Sequence, residues 1–132
     1  FIVGFLLVFT GALLRFACYT SLGSLHTYEV TLRPSHSLIT SGLYAYARHP
    51  SYTAVGMSIL GVLMLHFSEG GWNRTCGMKE VPAALYVVLG VFMGVSLKNR
   101  AGVEDEMLRG EFGERWEEWR RVVRWKFVPW VC

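Results

Sequence analysis

Ser51–Phe67, SYTAVGMSILGVLMLHF, runs for 17 residues without an Asp, Glu, Lys or Arg. Its apolar side chains keep neither a helical period of 3.6 nor a strand period of 2, so a helix built from it is apolar on all sides. At about 1.5 Å per residue it spans roughly 25 Å, close to the ~30 Å hydrocarbon core of a bilayer. Two more runs share this character: Phe1–Tyr19, interrupted by Arg15, and the uncharged Pro82–Leu97. Three such runs in 132 residues would leave few amphipathic surfaces to cover them in water. The expected fold is therefore all-α and integral to the membrane, one domain over 1–132. Its spans fall at about 1–19, 51–67 and 82–97, the last two forming a hairpin. The chain opens at Phe1 inside an apolar run with no basic segment before it, and is read as a piece of a longer protein rather than a signal peptide.

Charge is distributed unevenly. The net charge is only +3, yet eight of the 13 basic and seven of the ten acidic residues lie between Lys98 and Lys126. Mixed signs at this density suit a solvated helix at a membrane surface. There is no basic stripe interleaved with stacking aromatics, so nucleic acid is not an expected partner. Cys18, Cys76 and Cys132 are odd in number and widely spaced, which argues against a disulfide framework or a metal site. Residues 99–121 read as an amphipathic helix, with Leu108, Phe112, Trp116 and Trp119 at spacings of four, four and three. After it, Trp125, Phe127 and Trp130 alternate with Arg124 and Lys126, a composition suited to the headgroup layer.

Orientation follows from the connecting segments. Ser68–Val81 is rich in Gly and polar residues and contains Asn73-Arg74-Thr75, an N-glycosylation pattern. Arg33, Arg48, Lys98, Arg100 and the C-terminal basic residues fall on the other side, so the positive-inside rule places 26–50 and 98–132 together on the cytosolic face. Two segments distant in sequence then meet at one membrane surface, where a site is expected.

Two motifs lie in those segments. The first is Ser41-Gly42-Leu43-Tyr44-Ala45-Tyr46-Ala47-Arg48-His49-Pro50-Ser51-Tyr52, at the start of the second span. Pro50 suits the first turn of a helix, and the free N–H groups there favour an anion such as the carboxylate of a small cofactor. Tyr44 and Tyr52 offer ring faces to a purine or a sulfonium cation. The same residues also suit an interfacial loop with aromatic anchors. The second motif is Arg100 with Glu104, four apart and on one helix face, a spacing equally proper to a surface ion pair.

Together these stretches resemble the isoprenylcysteine carboxyl methyltransferase family. Ser35–Tyr44 followed by Arg48-His49-Pro50-Ser51-Tyr52 resembles its cofactor motif. Arg100, Glu104-Asp105, Leu108 and Phe112-Gly113-Glu114, with Trp116 and Trp119 where the family usually has tyrosine, resembles its C-terminal signature. Leu43 stands where many members have Pro, and Val122-Val123-Arg124 replaces a more usual Arg-Val-Pro. The resemblance implies S-adenosylmethionine as cofactor, held by His36, Ser37, Leu38, Ile39, Tyr44, His49, Pro50, Ser51, Tyr52 and Glu104, with Glu29 a further polar contact. It implies that Arg100 binds the substrate and serves catalysis, and that the cytosolic helix over 99–121 completes the cofactor pocket. The expected partners are prenylated protein C-termini bearing farnesyl- or geranylgeranyl-cysteine, at the endoplasmic reticulum membrane. Other readings stay open on sequence: a phospholipid N-methyltransferase, a reductase of related membrane architecture using a nicotinamide cofactor, and a non-catalytic membrane protein of the same fold. No GxGxxG occurs, which separates this chain from soluble nucleotide-binding methyltransferases.

Overall fold

The structure, a computed structural model, describes residues 1–23, 37–69, 80–129 and 131, with backbone alone at 80–83. The described residues are helical, without strands. The elements are α1 (Ile2–Leu22), a 3-10 turn (Gly42–Ala45), α2 (Pro50–Phe67), α3 (Glu80–Phe112) and α4 (Glu114–Val122). Ile2–Leu22, Pro50–Phe67 and Ala84–Phe112 are long and apolar enough to cross a membrane. The segment with Asn73-Arg74-Thr75, and the expected contacts Glu29 and His36, lie outside the described residues.

α1 and α2 pack antiparallel along a seam of small residues. Gly4 and Gly11 on α1 face Gly61 and the Ala54–Ser58 turn on α2. A Cβ at Gly61 would fall 2.7 Å from the Gly4 carbonyl oxygen, and one at Gly11 would fall 2.8 Å from that of Ala54. In lipid the hydrophobic effect does not draw helices together, so close backbone approach and dispersion must do it, and glycine permits that approach. Arg15, the one charge in α1, donates from Nε to the Tyr19 hydroxyl and lies 5.3 Å from that ring's centroid.

α3 runs back alongside α2. Tyr86, near its start, contacts the rings of His66 and Phe67 at the end of α2, with centroids 5.2 and 5.8 Å apart. Its 33 residues reach about 50 Å, well beyond a hydrocarbon core. The third span expected to end at Leu97 and the helix expected over 99–121 are thus one continuous helix as far as Phe112. Lys98–Val103 contains no proline, and Gly102 costs a helix interior only about 1 kcal/mol. The break comes instead at Gly113, whose φ of 51° suits glycine, and whose N–H closes the helix on the Arg109 carbonyl at 2.9 Å.

α4 then turns back toward the 3-10 turn. Glu114 and Glu117 in its first turn and Arg120 and Arg121 in its last complement the helix dipole. Its apolar stripe is buried: Trp116, Trp119 and the following Val123 form a cluster with Tyr44, against which Leu22, Leu38, Ile39, Leu108 and Phe112 pack. The spacing read from sequence thus survives the break at Gly113. Leu108 and Phe112 come from one helix, Trp116 and Trp119 from the next, and all four join the cluster that includes Tyr44.

Candidate active site

The site begins where the 3-10 turn hands over to α2. Gly42 adopts a φ of 62°, which lets the chain turn sharply after Ser41. The turn buries Tyr44, and Trp119 donates from Nε1 to the Tyr44 carbonyl at 3.2 Å, fixing the turn to α4. Burial, followed by the neighbouring Cys18, Glu104, Tyr52 and Tyr19, pushes the Tyr44 phenol well above its ordinary value, so it stays neutral.

His49 is the N-cap of α2, with Pro50 in the first turn as the sequence predicts. The open anion cradle predicted at this terminus is partly filled by the chain itself. The N–H groups of Arg48 and His49 donate to the carbonyls of Trp125 and Lys126 at 3.0 and 2.8 Å, and Thr53 donates from Oγ1 to the Phe127 carbonyl at 2.7 Å. The C-terminal segment therefore lies as a strap across the start of α2. Pro50 has no N–H to offer, and Tyr52 N–H bonds back to the His49 carbonyl at 3.1 Å.

α3 closes the site from the other side. The His49 ring is buried, 6% exposed, and is held between two successive carboxylates. Nε2 lies 2.8 Å from Asp105 Oδ1, and because an ionised carboxylate only accepts, the imidazole donates there. Nδ1 lies 3.5 Å from Glu104 Oε2. Tyr52 donates its hydroxyl to Glu104 Oε1, which also accepts from Arg100 Nε at 3.2 Å. The His49 and Tyr52 rings stack at 5.5 Å, 8° from parallel. Burial disfavours a charged His49, but hydrogen bonds and charge from Asp105 and Glu104 outweigh it and hold its pKa above the ordinary 6.5.

Of the residues singled out from sequence, Tyr44, His49, Pro50, Ser51, Tyr52, Arg100 and Glu104 are gathered where the turn, α2 and α3 meet. Leu38 and Ile39 pack against the Tyr44–Trp119 cluster, and Ser37 is exposed in the segment before it. Arg100 and Glu104 do pair along one helix face, but the pair is no isolated surface bridge, because Tyr52 and His49 join it.

Sequence reasoning placed Arg48 and Asp105 within the two motifs and Lys126 in the headgroup layer, but named none of the three as a site residue. Asp105 is 8% exposed, and its Oδ2 receives Arg48 Nη1 at 2.9 Å and Lys126 Nζ at 3.2 Å. A second acid directly after Glu104 was the available signal. Counting only fixed charges, Arg48, Arg100 and Lys126 face Glu104 and Asp105, so cations exceed carboxylates by one before His49 is protonated. Among the described residues no group of acidic, histidine or cysteine side chains is arranged to hold a metal ion. The arrangement offers an aromatic face, a carboxylate that is 27% exposed, and a guanidinium that is 39% exposed. It can therefore receive a ligand carrying both an amine and an anionic group.

The profile of the isoprenylcysteine carboxyl methyltransferase family matches residues 2–88, about two thirds of the chain. The match covers α1, the turn, α2 and the start of α3, and stops before Arg100 and Glu104. Among curated proteins, the chain is similar to a mouse Delta(14)-sterol reductase, 24% identical over 94 residues, or 71% of this chain and 19% of that protein. It is also similar to a Delta(14)-sterol reductase of Schizosaccharomyces pombe, 26% identical over 106 residues, or 80% of this chain and 22% of that protein. The chain thus spans about a fifth of the length of these relatives. No solved structure matches it.

Proposed function

Because this chain belongs to the isoprenylcysteine carboxyl methyltransferase family, we propose that it is a membrane enzyme that methylates the C-terminal carboxylate of a prenylated cysteine, using S-adenosylmethionine. The observation that carries this reading is the meeting of three residues, His49, Tyr52 and Arg100, around the one half-buried carboxylate of Glu104.

The residues present fit the cofactor. Glu104 accepts hydrogen bonds from an amine or ribose hydroxyls, and the partly exposed ring of Tyr52 suits an adenine or a sulfonium, with His49 and Tyr44 packed behind it. Pro50 and Ser51 shape the helix start beneath it, and Leu38 and Ile39 brace the turn. Ser37, His36 and Glu29 complete the set by resemblance. Bound there, S-adenosylmethionine supplies an activated methyl group.

The chain's own task is to desolvate and aim the nucleophile. A C-terminal carboxyl has a pKa of about 3.5, so it is ionised at neutral pH and needs no general base. Arg100 holds it: a planar guanidinium engages a carboxylate through two parallel N–H donors and fixes its direction. Positioning of this kind is worth roughly 7–11 kcal/mol of barrier. The prenyl chain stays in the bilayer and enters between the spans, each methylene kept from water sparing about 0.8 kcal/mol. Basic residues at Arg48, Arg100, Arg120, Arg121, Arg124 and Lys126 favour the cytosolic side for this end of the molecule, with the endoplasmic reticulum as its membrane.

The sterol reductase relatives favour a second reading, in which the same helices serve a reductase with a nicotinamide cofactor. Titration calorimetry of the purified chain in lipid nanodiscs separates the two. Saturable heat with S-adenosylmethionine and none with NADPH supports the methyltransferase. The reverse result supports the reductase and overturns the first reading.

A further inference from the structure

Asp105, like Glu104, engages three side chains of the site, yet the proposed reaction gives it no task. Its Oδ1 accepts from His49, while its Oδ2 receives Arg48 and Lys126. These partners arrive from two segments far apart in sequence, the residues just before α2 and those just after α4. We propose that Asp105 is a positioning residue: it fixes the His49 ring from the side opposite Glu104 and ties both segments to α3.

Three observations carry this. First, successive residues on a helix diverge by about 100°, so Glu104 and Asp105 grip the two nitrogens of one imidazole from different directions. With both contacts made, the ring cannot rotate about its Cβ–Cγ bond without breaking one. Second, the His49 ring lies parallel to Tyr52 and 6.1 Å from Phe127, so a fixed His49 also sets the ring that donates to Glu104. Third, the strap over the start of α2 has a single ionic anchor on α3 among the described residues, the Lys126–Asp105 pair. Loss of the carboxylate leaves the strap bonded to the start of α2 but unties it from α3, and it releases one edge of the His49 ring, so the acceptor edge of Glu104 loses its orientation. A site is only as exact as the shell that supports it.

The proposal rests on the methyltransferase reading, and a double-mutant cycle separates the two. Calorimetric affinity for S-adenosylmethionine is measured on the chain in nanodiscs for wild type, Asp105→Asn, His49→Gln and the double variant. Asp105→Asn keeps the shape and removes the charge, and is expected to weaken binding about tenfold. Since Asp105 acts through His49, the double variant is expected to bind no more weakly than His49→Gln alone. Wild-type affinity in Asp105→Asn, or effects of the two substitutions that multiply, would overturn the assignment. Should Asp105→Asn accumulate poorly, Asp105→Glu, which keeps the charge but displaces it, enters the same cycle with the same expectation and the same overturning result. Failure of the wild-type chain to bind S-adenosylmethionine takes down the functional reading itself, whereas normal wild-type binding with an unaffected Asp105→Asn removes Asp105 alone.

Discussion

Nδ1 of His49 lies 3.5 Å from Oε2 of Glu104, across 55 residues of sequence and between two different helices. Each residue belongs to its own motif. Their contact turns two segments that read separately as an interfacial loop and a surface helix into one site.

Glu104 is the acceptor on which that site turns. Glu104→Ala removes the carboxylate from Tyr52, His49 and Arg100 together, and is expected to weaken S-adenosylmethionine binding by at least about tenfold. Tyr52→Phe loses one hydrogen bond, so its effect is expected to be smaller, about 0.5–1.5 kcal/mol. Equal losses in the two variants, by calorimetry, would remove Glu104 from its special place.

Arg100→Lys keeps the charge and loses the planar fork. A charge-assisted hydrogen bond contributes about 1.5–3 kcal/mol, so turnover is expected to fall by roughly 10- to 100-fold while cofactor affinity stays near wild type. Steady-state rates beside calorimetry test this, and normal turnover would take Arg100 out of the substrate role.

The raised pKa of His49 makes stability depend on pH in a definite direction. The folded state binds the imidazolium's proton more tightly than the unfolded chain. This contribution is complete below about pH 6.5 and is lost as pH rises through the folded value. The melting temperature of wild type is expected to fall between pH 6 and 9, and that of His49→Gln to stay flatter. Parallel curves for the two would show that His49 is not the titrating group.

The α1–α2 seam predicts a contrast between glycines. A Cβ at Gly61 meets the Gly4 carbonyl oxygen at 2.7 Å and the Val8 nitrogen at 2.8 Å, both backbone. Gly61→Ala is expected to cost about 1–3 kcal/mol through forced separation of the helices. At Gly56, on the same helix, a Cβ meets nothing within 4 Å, and Gly56→Ala is expected to be neutral or slightly stabilising. Thermal unfolding of both variants in detergent checks the contrast.

Much of this architecture is legible in the sequence because membrane spans announce themselves by length and lack of charge. Ser51–Phe67 needs no partner to be read as a span. Trp116 and Trp119 are legible, with Leu108 and Phe112, as an apolar stripe, but that Tyr44 helps to receive it is not. What could not be read depends on tertiary register. No local pattern reports that Lys126 reaches Asp105, or that the carbonyls of Trp125 and Lys126 meet the N–H groups of Arg48 and His49. The helix break fell at Gly113 rather than near Lys98 because a change in polarity does not end a helix, whereas a residue at positive φ does. Sequence placed Arg100 and Glu104 side by side, but the added grip of Tyr52 appears only once α2 and α3 are packed.

The claim that matters most is that this site makes a carboxyl methyl ester on a prenylated cysteine. It is tested by incubating the purified chain in nanodiscs with S-adenosylmethionine labelled in its methyl group and N-acetyl-farnesylcysteine, then treating the product with base. The account predicts label that enters the lipid-soluble product and is released as methanol, since esters hydrolyse under base. Label that appears only with phosphatidylethanolamine and survives base, as an N-methyl group does, would contradict it.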